Sequence, residues 1–302
     1  PSRGLGDVYK RQRFRCRRNN KVVNYKHLKI EDNGEIIICY LSNPPTHTLT
    51  AQGLMEIHDF LDSLASNKKL RVLAFTGAGE DVFIRHYEVG ELADSAEKNI
   101  SKDKEANKTD NNSKKELHGF HKMLLKMRDL DAIVIAGING NTAGGGCEFS
   151  LGCDLRVMSS GDYFIGLPET GVGILPGGGG TQRLARLIGI SRALDLILHG
   201  KLIPNTKAFE YGIINEILPK DSFIESLKEY CQVLAKRAPI ALREVKKAIH
   251  KGIDLPLEEA LLVEQEAFNE TMNSKDAARA MRTMLNAKEE IDVISKLEWS
   301  GE

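Results

Sequence analysis

Two stretches decide the fold of this chain: AGINGNTAGGGCEFSLGCDLRV, residues 136–157, and LPETGVGILPGGGGTQRL, residues 167–184. In the first, a strand-like apolar run meets the glycine cluster Gly144–Gly146, and a helix-like segment with Glu148 follows. Glycines allow close approach to the backbone, and the free N–H groups at a helix start can hold an anion that forms during a reaction. We therefore predict a backbone anion site here, with Glu148 on the same helix face as Gly145.

A second carboxylate lies in the second stretch. Glu169 follows Pro168 and precedes another glycine tract, Gly177–Gly180. Two carboxylates beside a backbone anion site are suited to acid–base chemistry next to a carbonyl group. Taken alone, either glutamate could be a solvated helix or turn residue, and the tract could be turn material. Neither glycine tract has the GxGxxG or GxxxxGK[ST] spacing of a phosphate-binding loop.

Composition narrows the class of protein. The chain has 302 residues, of which 41% are hydrophobic and 28% charged, as in one large globular domain or a domain with an appendage. No apolar run reaches the roughly 18 residues of a membrane span, and the basic N-terminus lacks the apolar segment of a signal peptide. The five cysteines show no CxxC spacing. We expect reduced thiols in a cytoplasmic protein without a membrane partner.

The formal net charge of zero hides an asymmetry. Residues 1–23 contain eight Lys or Arg and one acid, which leaves 34 basic and 41 acidic residues elsewhere. One interpretation of this segment is a nucleic-acid-binding arm. We favour a non-native or disordered extension, because residues 7–12 (DVYKRQ) are what the transposase end used in sequencing libraries encodes. The acidic remainder does not predict a nucleic-acid partner.

Strand and helix patterns define the predicted domains. Strand–strand–helix units recur up to about residue 200 and only helical patterns follow, apart from a short extended stretch ending at Leu218. The sequence therefore predicts an α/β core at 24–200 and a helical C-terminal region at 201–302. Residues 93–115 are polar and of low complexity, so we expect a flexible insert there.

With these motifs in place, the chain resembles the enoyl-CoA hydratase/isomerase (crotonase) family from about Asn24 to Lys288. The resemblance rests on Asn-Gly, three glycines and Cys-Glu, then Cys-Asp-Leu-Arg, and on Pro-Glu followed by Pro-Gly-Gly-Gly-Gly-Thr-Gln-Arg-Leu. It implies a crotonase-like spiral of ββα units with a C-terminal helical trimerisation region, so we expect a homotrimer or a dimer of trimers. It also implies a coenzyme A thioester substrate and no further cofactor.

The resemblance implies roles for particular positions. Two backbone N–H groups, those of Tyr87 and Gly145, would form an oxyanion hole for the thioester oxygen. Glu148 and Glu169 would be the catalytic carboxylates of a hydratase. Further substrate contacts are expected at five positions: Thr46, Arg85, His86, Gly144 and Gly177.

One segment departs from the family pattern. His86 and Tyr87 stand where the family mostly has small residues, which leaves three functions open. The first is an enoyl-CoA hydratase, which we favour. The second is a double-bond isomerase that uses Glu169 alone, and the third is a non-catalytic acyl-CoA-binding protein. His118 and His121 lie three residues apart on a predicted helix, but without a nearby carboxylate at ligand spacing, so no metal site is predicted.

Overall fold

The computed structural model describes residues 16–18, 21–105, 116–287 and 297–302. Most of the predicted N-terminal extension, residues 1–23, lies outside them. Its two described segments pair as antiparallel strands, β1 (Cys16–Arg18) and β2 (Lys21–Val23), and the non-native or disordered character of the extension stays a prediction. The β-branched Val22 and Val23 favour this extended conformation.

A mostly parallel sheet forms the centre of the fold. Its first two strands form the hairpin that the sequence predicts around Gly34, and they pair antiparallel. The remaining neighbours are parallel. The order across the sheet is β11, β8, β6, β5, β4, β3, with the bounds β3 (Leu28–Asp32), β4 (Ile36–Leu41), β5 (Val72–Gly77), β6 (Ile133–Ile138), β8 (Leu155–Ser159) and β11 (Glu216–Leu218).

A second, smaller sheet explains the ββα pattern. Its order is β10, β9, β7, with the bounds β7 (Thr142–Ala143), β9 (Phe164–Gly166) and β10 (Leu202–Pro204). Strands β6 and β7 lie in different sheets and are followed by a helix, and β8 and β9 repeat this arrangement. Because β10 and β11 pair with core strands, the core sheets extend past residue 200 as far as Leu218. The C-terminal region is therefore not helical throughout.

The helices cover the sheets and form the C-terminal region. Their bounds are α1 (Ala51–Leu64), α2 (Val89–Glu105), α3 (Gly119–Asp129), α4 (Gly145–Leu151), α5 (Gly180–Ile188), α6 (Ile190–Leu198), α7 (Asn205–Glu210), α8 (Phe223–Ala235), α9 (Pro239–Gly252), α10 (Leu257–Met272) and α11 (Lys275–Leu285). Within the described ranges, no helix combines the length and apolar character that crossing a membrane requires.

The hydrophobic core lies on both faces of the main sheet. Side chains alternate along β5, so that Leu73 and Phe75 join the core on one face while Val72 and Ala74 join the core on the other. Helices α1, α3 and α4 cover the first face, and α8 covers the second with Leu227. Every residue of β5 and β6 is buried, as expected for parallel strands covered on both faces. This packing fixes the strand ends from which the site loops begin.

Helix α2 corrects the predicted flexible insert in its first half. Residues 93–105 continue this helix, whereas 106–115 lie outside the described residues. All side chains from Leu92 to Ser101 are exposed, so the helix does not depend on burial over this length. The segment is rich in Ala, Glu and Lys, which are strong helix formers. The low hydrophobicity of this segment predicted disorder. Its helix propensity, together with the contacts that hold the first turn of α2, favours a helix instead.

The C-terminal helices are joined to the core by a buried ion pair. Lys246 on α9 lies 2.8 Å from the Asp154 carboxylate and also donates to the carbonyls of Met127 and Ala132. His250, one turn further on, contacts the other Asp154 oxygen at 2.8 Å. Breaking a buried pair leaves an uncompensated charge, so these contacts hold α9 at one position on the core.

Candidate active site

The oxyanion-hole residues named from the sequence lie side by side. A Cβ atom on Gly145 would lie 2.9 Å from Tyr87 Cβ and 3.1 Å from Tyr87 N, so only glycine allows this approach. Gly145 is the first residue of α4, where N–H groups have no partner within the helix. Neither N–H donates to another atom of the described residues. The two donors are thus adjacent and available to a shared acceptor.

The conformation before α4 depends on glycine. Gly144 has φ +50°, in the region that side chains other than glycine rarely adopt, and its N–H donates to the Gly166 carbonyl at 2.9 Å. Ala143 N donates to the Arg85 carbonyl, which connects the segment before the helix to the segment that carries Tyr87. Glycine at this position therefore allows the turn that leads directly into the first residue of α4, Gly145.

Glu148 is held by the second glycine tract. Its side chain is 4% exposed, and its Oε1 accepts from Gly178 N at 2.7 Å and Gly180 N at 2.8 Å. A Cβ on Gly178 would lie 2.7 Å from Glu148 Oε2, so the tract can approach the carboxylate only because it lacks side chains. Burial raises the pKa of Glu148, and the two N–H donors counteract this by stabilising the anion. The anion that this tract positions is therefore Glu148 itself.

Glu169 has the environment of a proton donor. It begins a 3-10 turn, Glu169–Val172, and its Oε1 lies 3.1 Å from where a Cβ on Gly144 would be. Its Oε2 is buried and has no hydrogen-bond partner among the described residues. The pKa of Glu169 is raised to about 7, mainly by burial; its own backbone N–H opposes this rise and the charge of Glu148 adds to it. Such a carboxyl group exchanges its proton near neutral pH.

The segment that differs from the family pattern, around His86 and Tyr87, keeps the Tyr87 backbone N–H as a donor. Arg85 N and Glu88 N donate to the carbonyls of His47 and Leu49, so that the segment runs alongside the chain that precedes α1. The Tyr87 ring packs 6.4 Å from the Phe120 ring, centroid to centroid. Burial, followed by the hydrogen bond and charge of Glu91, raises the pKa of the Tyr87 phenol to about 12. The tyrosine therefore stays neutral and directs its hydroxyl towards helix α2.

The remaining predicted substrate contacts are placed differently. The His86 ring donates to the Tyr87 carbonyl at 2.7 Å, and His86 Cβ lies 3.8 Å from a Cβ placed on Gly144, so this residue borders the site. Arg85 and Gly177 are exposed. Thr46 is also exposed, and its hydroxyl interacts with Thr48 Oγ1 at 2.9 Å. No described geometry places Arg85 or Thr46 beside the carboxylates, so their substrate contacts stay predictions.

Sequence reasoning missed the residues around Glu148. Phe120 lies against Gly178, and the stacked rings of His118 and His121 lie behind the tract. These residues are about 60 positions from the tract in the sequence. The His-x-x-His spacing led us to consider the two histidines only as possible metal ligands. Among the residues the structure describes, no group of three or more His, Cys, Asp or Glu is arranged to hold a metal ion.

Comparison with known proteins agrees with this architecture. Residues 31–290 match the family model for enoyl-CoA hydratase/isomerase, so the chain belongs to that family and is an enzyme of that class. It is 31% identical to the short-chain-enoyl-CoA hydratase of Clostridium acetobutylicum, over 86% of this chain and 94% of the relative. The crotonyl-CoA hydratase of Syntrophomonas wolfei is 27% identical over 90% of this chain and 99% of its own.

Solved structures give the same result for the fold. The crystal structure of the enoyl-CoA hydratase from Bacillus anthracis superposes with a TM-score of 0.78 at 28% identity, over 92% of this chain and all of that one. The predicted crotonase-like fold is therefore confirmed.

Proposed function

We propose that this enzyme is an enoyl-CoA hydratase, which adds water across the double bond of a 2-enoyl-CoA thioester. The observation that supports this proposal is the combination of two neighbouring backbone donors, at Tyr87 and Gly145, with two carboxyl groups in different surroundings, Glu148 and Glu169. Glu148 receives two N–H donors, which favours its anion. Glu169 has a pKa of about 7 and so keeps its proton more readily. A hydratase needs one base and one acid on the same substrate.

The proposed reaction uses each of these groups once. The thioester oxygen accepts from Tyr87 N and Gly145 N, which stabilise the negative charge that develops there. Glu148 removes a proton from water as the water oxygen bonds to C3, and the π electrons move through C2 to the thioester oxygen. The enolate then returns its electrons to C2, which takes the proton of Glu169. Water has been added, and proton exchange with solvent restores both glutamates.

An isomerase remains the second candidate because of one observation. A pKa near 7 also suits a group that must both remove and return a proton, as Glu169 would in moving a double bond. In that reaction Glu148 would not transfer a proton. The two reactions predict different products and different responses to loss of Glu148.

The deciding experiment measures loss of the conjugated thioester absorbance with a short trans-2-enoyl-CoA. We expect wild type to be active, and Glu148→Gln and Glu169→Gln each to lower kcat by about 10²–10⁴-fold. Glu97→Gln, an exposed change on α2, is the matched control and should retain activity. Double-bond migration that survives Glu148→Gln would favour the isomerase. Thioester binding without turnover would favour a non-catalytic binding protein.

The substrate and the assembly are part of the proposal. The names of the two relatives support a short acyl chain, and the mechanism calls for neither metal nor redox cofactor. Helix α10 leaves large apolar side chains exposed, among them Leu257 at 69% and Phe268 at 60%. Such a face supports the proposed homotrimer or dimer of trimers. A cytoplasmic location is also part of the proposal. Light scattering after gel filtration tests the assembly, and a monomer at micromolar concentration would contradict it.

A further inference from the structure

Two stacked histidines lie against the back of the glycine tract that holds Glu148. His118 precedes α3, and its Nε2 donates to the carbonyl of Gly177 at 3.0 Å. His121, on the first turn of α3, lies beside the tract, with its Nδ1 3.8 Å from where a Cβ on Gly179 would be. The two rings stack with their centroids 3.9 Å apart and an angle of 29° between their planes. His118 therefore holds a carbonyl of the tract, and His121 stacks behind it.

The contact reaches Glu148 through a single peptide unit. The carbonyl of Gly177 and the N–H of Gly178 belong to one planar group. The carbonyl accepts from His118, and the N–H donates to Glu148 Oε1 at 2.7 Å. A shift of the carbonyl therefore rotates the N–H by the same angle. Hydrogen bonds in such a chain also polarise one another, so the imidazole strengthens the donor at the far end.

The tract has little else to fix this orientation. Gly177 and Gly178 carry no side chain, and neighbouring atoms of Glu148 and Phe120 exclude one at Gly178. Gly179 has φ +110°, where side chains are strained. Close contacts require glycine at Gly178 and Gly180, and the positive φ favours it at Gly179. Glycine has high backbone freedom, so neighbouring groups have to restrict the tract.

We propose that His118, supported by the stacked His121, is a positioning residue for Glu148. It fixes the Gly177–Gly178 peptide so that its N–H points at the carboxylate. This inference rests on the proposed function, because it assigns the base of the hydration step its geometry. His118 does not itself take part in proton transfer to the substrate.

The charge of His118 also acts on Glu148. The groups that face this carboxylate are His118 from α3, Arg183 from α5 and Glu169 from the 3-10 turn. The charges of His118 and Arg183 lower the pKa of Glu148, opposing the effect of its burial. Burial lowers the pKa of His121, as do the charges of His118 and Arg183. Removal of the His118 imidazole should therefore move the protonation of Glu148 to higher pH.

Two substitutions separate the hydrogen bond from the charge. In His118→Phe the ring can still stack, but the donor and the charge are lost. In His118→Gln the amide keeps a donor near the position of Nε2, without the charge. The matched control is His199→Phe at the C-cap of α6, since His199 also donates to a carbonyl, that of Asp195, but touches neither Glu148 nor the tract.

Steady-state kinetics on a short 2-enoyl-CoA provide the first readout. We expect His118→Phe to lower kcat about tenfold with KM changed less than about twofold, and His118→Gln to stay within about threefold of wild type. The acid limb of the kcat/KM profile should move to higher pH in both variants. The control should match wild type. Equal kcat in wild type and His118→Phe, or equal loss in both His118 variants, would overturn the positioning role.

Amide hydrogen exchange provides a readout that does not need activity. Mass spectrometry of peptides covering 176–184 should show faster exchange at Gly178 and Gly180 in His118→Phe, and near wild-type exchange in His118→Gln. If wild type turned over no enoyl thioester, the proposed function would fail, while exchange would still decide whether His118 orders the tract. Unchanged exchange in His118→Phe would reject the inference whether or not the enzyme is a hydratase.

Discussion

Glu169 should control the alkaline side of the activity profile. The proposed mechanism needs this group protonated, and burial raises its pKa from the usual 4.5 to about 7. The protonated fraction then falls from about nine-tenths at pH 6 to about one-tenth at pH 8 and about one-hundredth at pH 9. We expect kcat/KM to fall about tenfold from pH 6 to pH 8, and about a hundredfold by pH 9. A carboxyl group with the usual pKa of 4.5 would give no bend in the pH dependence of kcat/KM between pH 6 and pH 9.

The assay follows the conjugated thioester absorbance at substrate concentrations well below KM, in buffers of constant ionic strength. Spontaneous thioester hydrolysis is subtracted at each pH. The residual activity of Glu169→Gln should lack the alkaline limb, because the amide does not titrate. A wild-type profile that is flat or rising between pH 7 and pH 9 would refute the role of Glu169 as acid.

Three further results are expected. Gly145→Ala should lower kcat about 10²–10³-fold, because its Cβ would lie 2.9 Å from Tyr87 Cβ and displace an oxyanion donor; a change in KM alone, with kcat unaltered, would argue against this. Lys246→Met should lower the free energy of unfolding by about 3 kcal/mol in urea titrations, since Asp154 stays buried without its cation, and an unchanged midpoint would contradict it. Because the folded pKa of Glu169 is raised, its stabilising effect is complete below about pH 4.5 and is lost as pH rises through about 7. Glu169→Gln should thus gain in melting temperature relative to wild type from pH 5 to pH 8; parallel curves would exclude the linkage.

Local patterns predicted most of the core elements. The run from Ala51 to Leu64 has apolar residues at helical spacing, and Thr50, a residue type that favours the N-cap position, caps it by accepting from Gly53 N. The Asn33-Gly34 turn predicted the first hairpin. These features depend on neighbours within a few residues, which the sequence displays directly.

Very short strands, and contacts between residues far apart in the sequence, were harder to predict from the sequence. Strand β7 has two residues and β10 has three, too few for an alternating pattern to show, and both depend on pairing with β9. The two carboxylates could be named from the sequence, but their different environments could not. The donors to Glu148 are 30 and 32 residues away, and His118 lies 59 residues from its acceptor. Only the folded chain brings these groups together.

Helix α2 connects the segment that carries Tyr87 to the surface of the protein. It begins two residues after Tyr87 and spans 17 residues, which corresponds to a rod of about 25 Å. Glu91, in its first turn, is hydrogen-bonded to the Tyr87 side chain and accepts from Ala51 N of α1 at 2.9 Å. A small rotation at this base becomes a large displacement at the exposed tip. A fluorophore attached near Lys98 would therefore report movement of the segment that carries Tyr87. We expect its anisotropy to change when a thioester substrate is added.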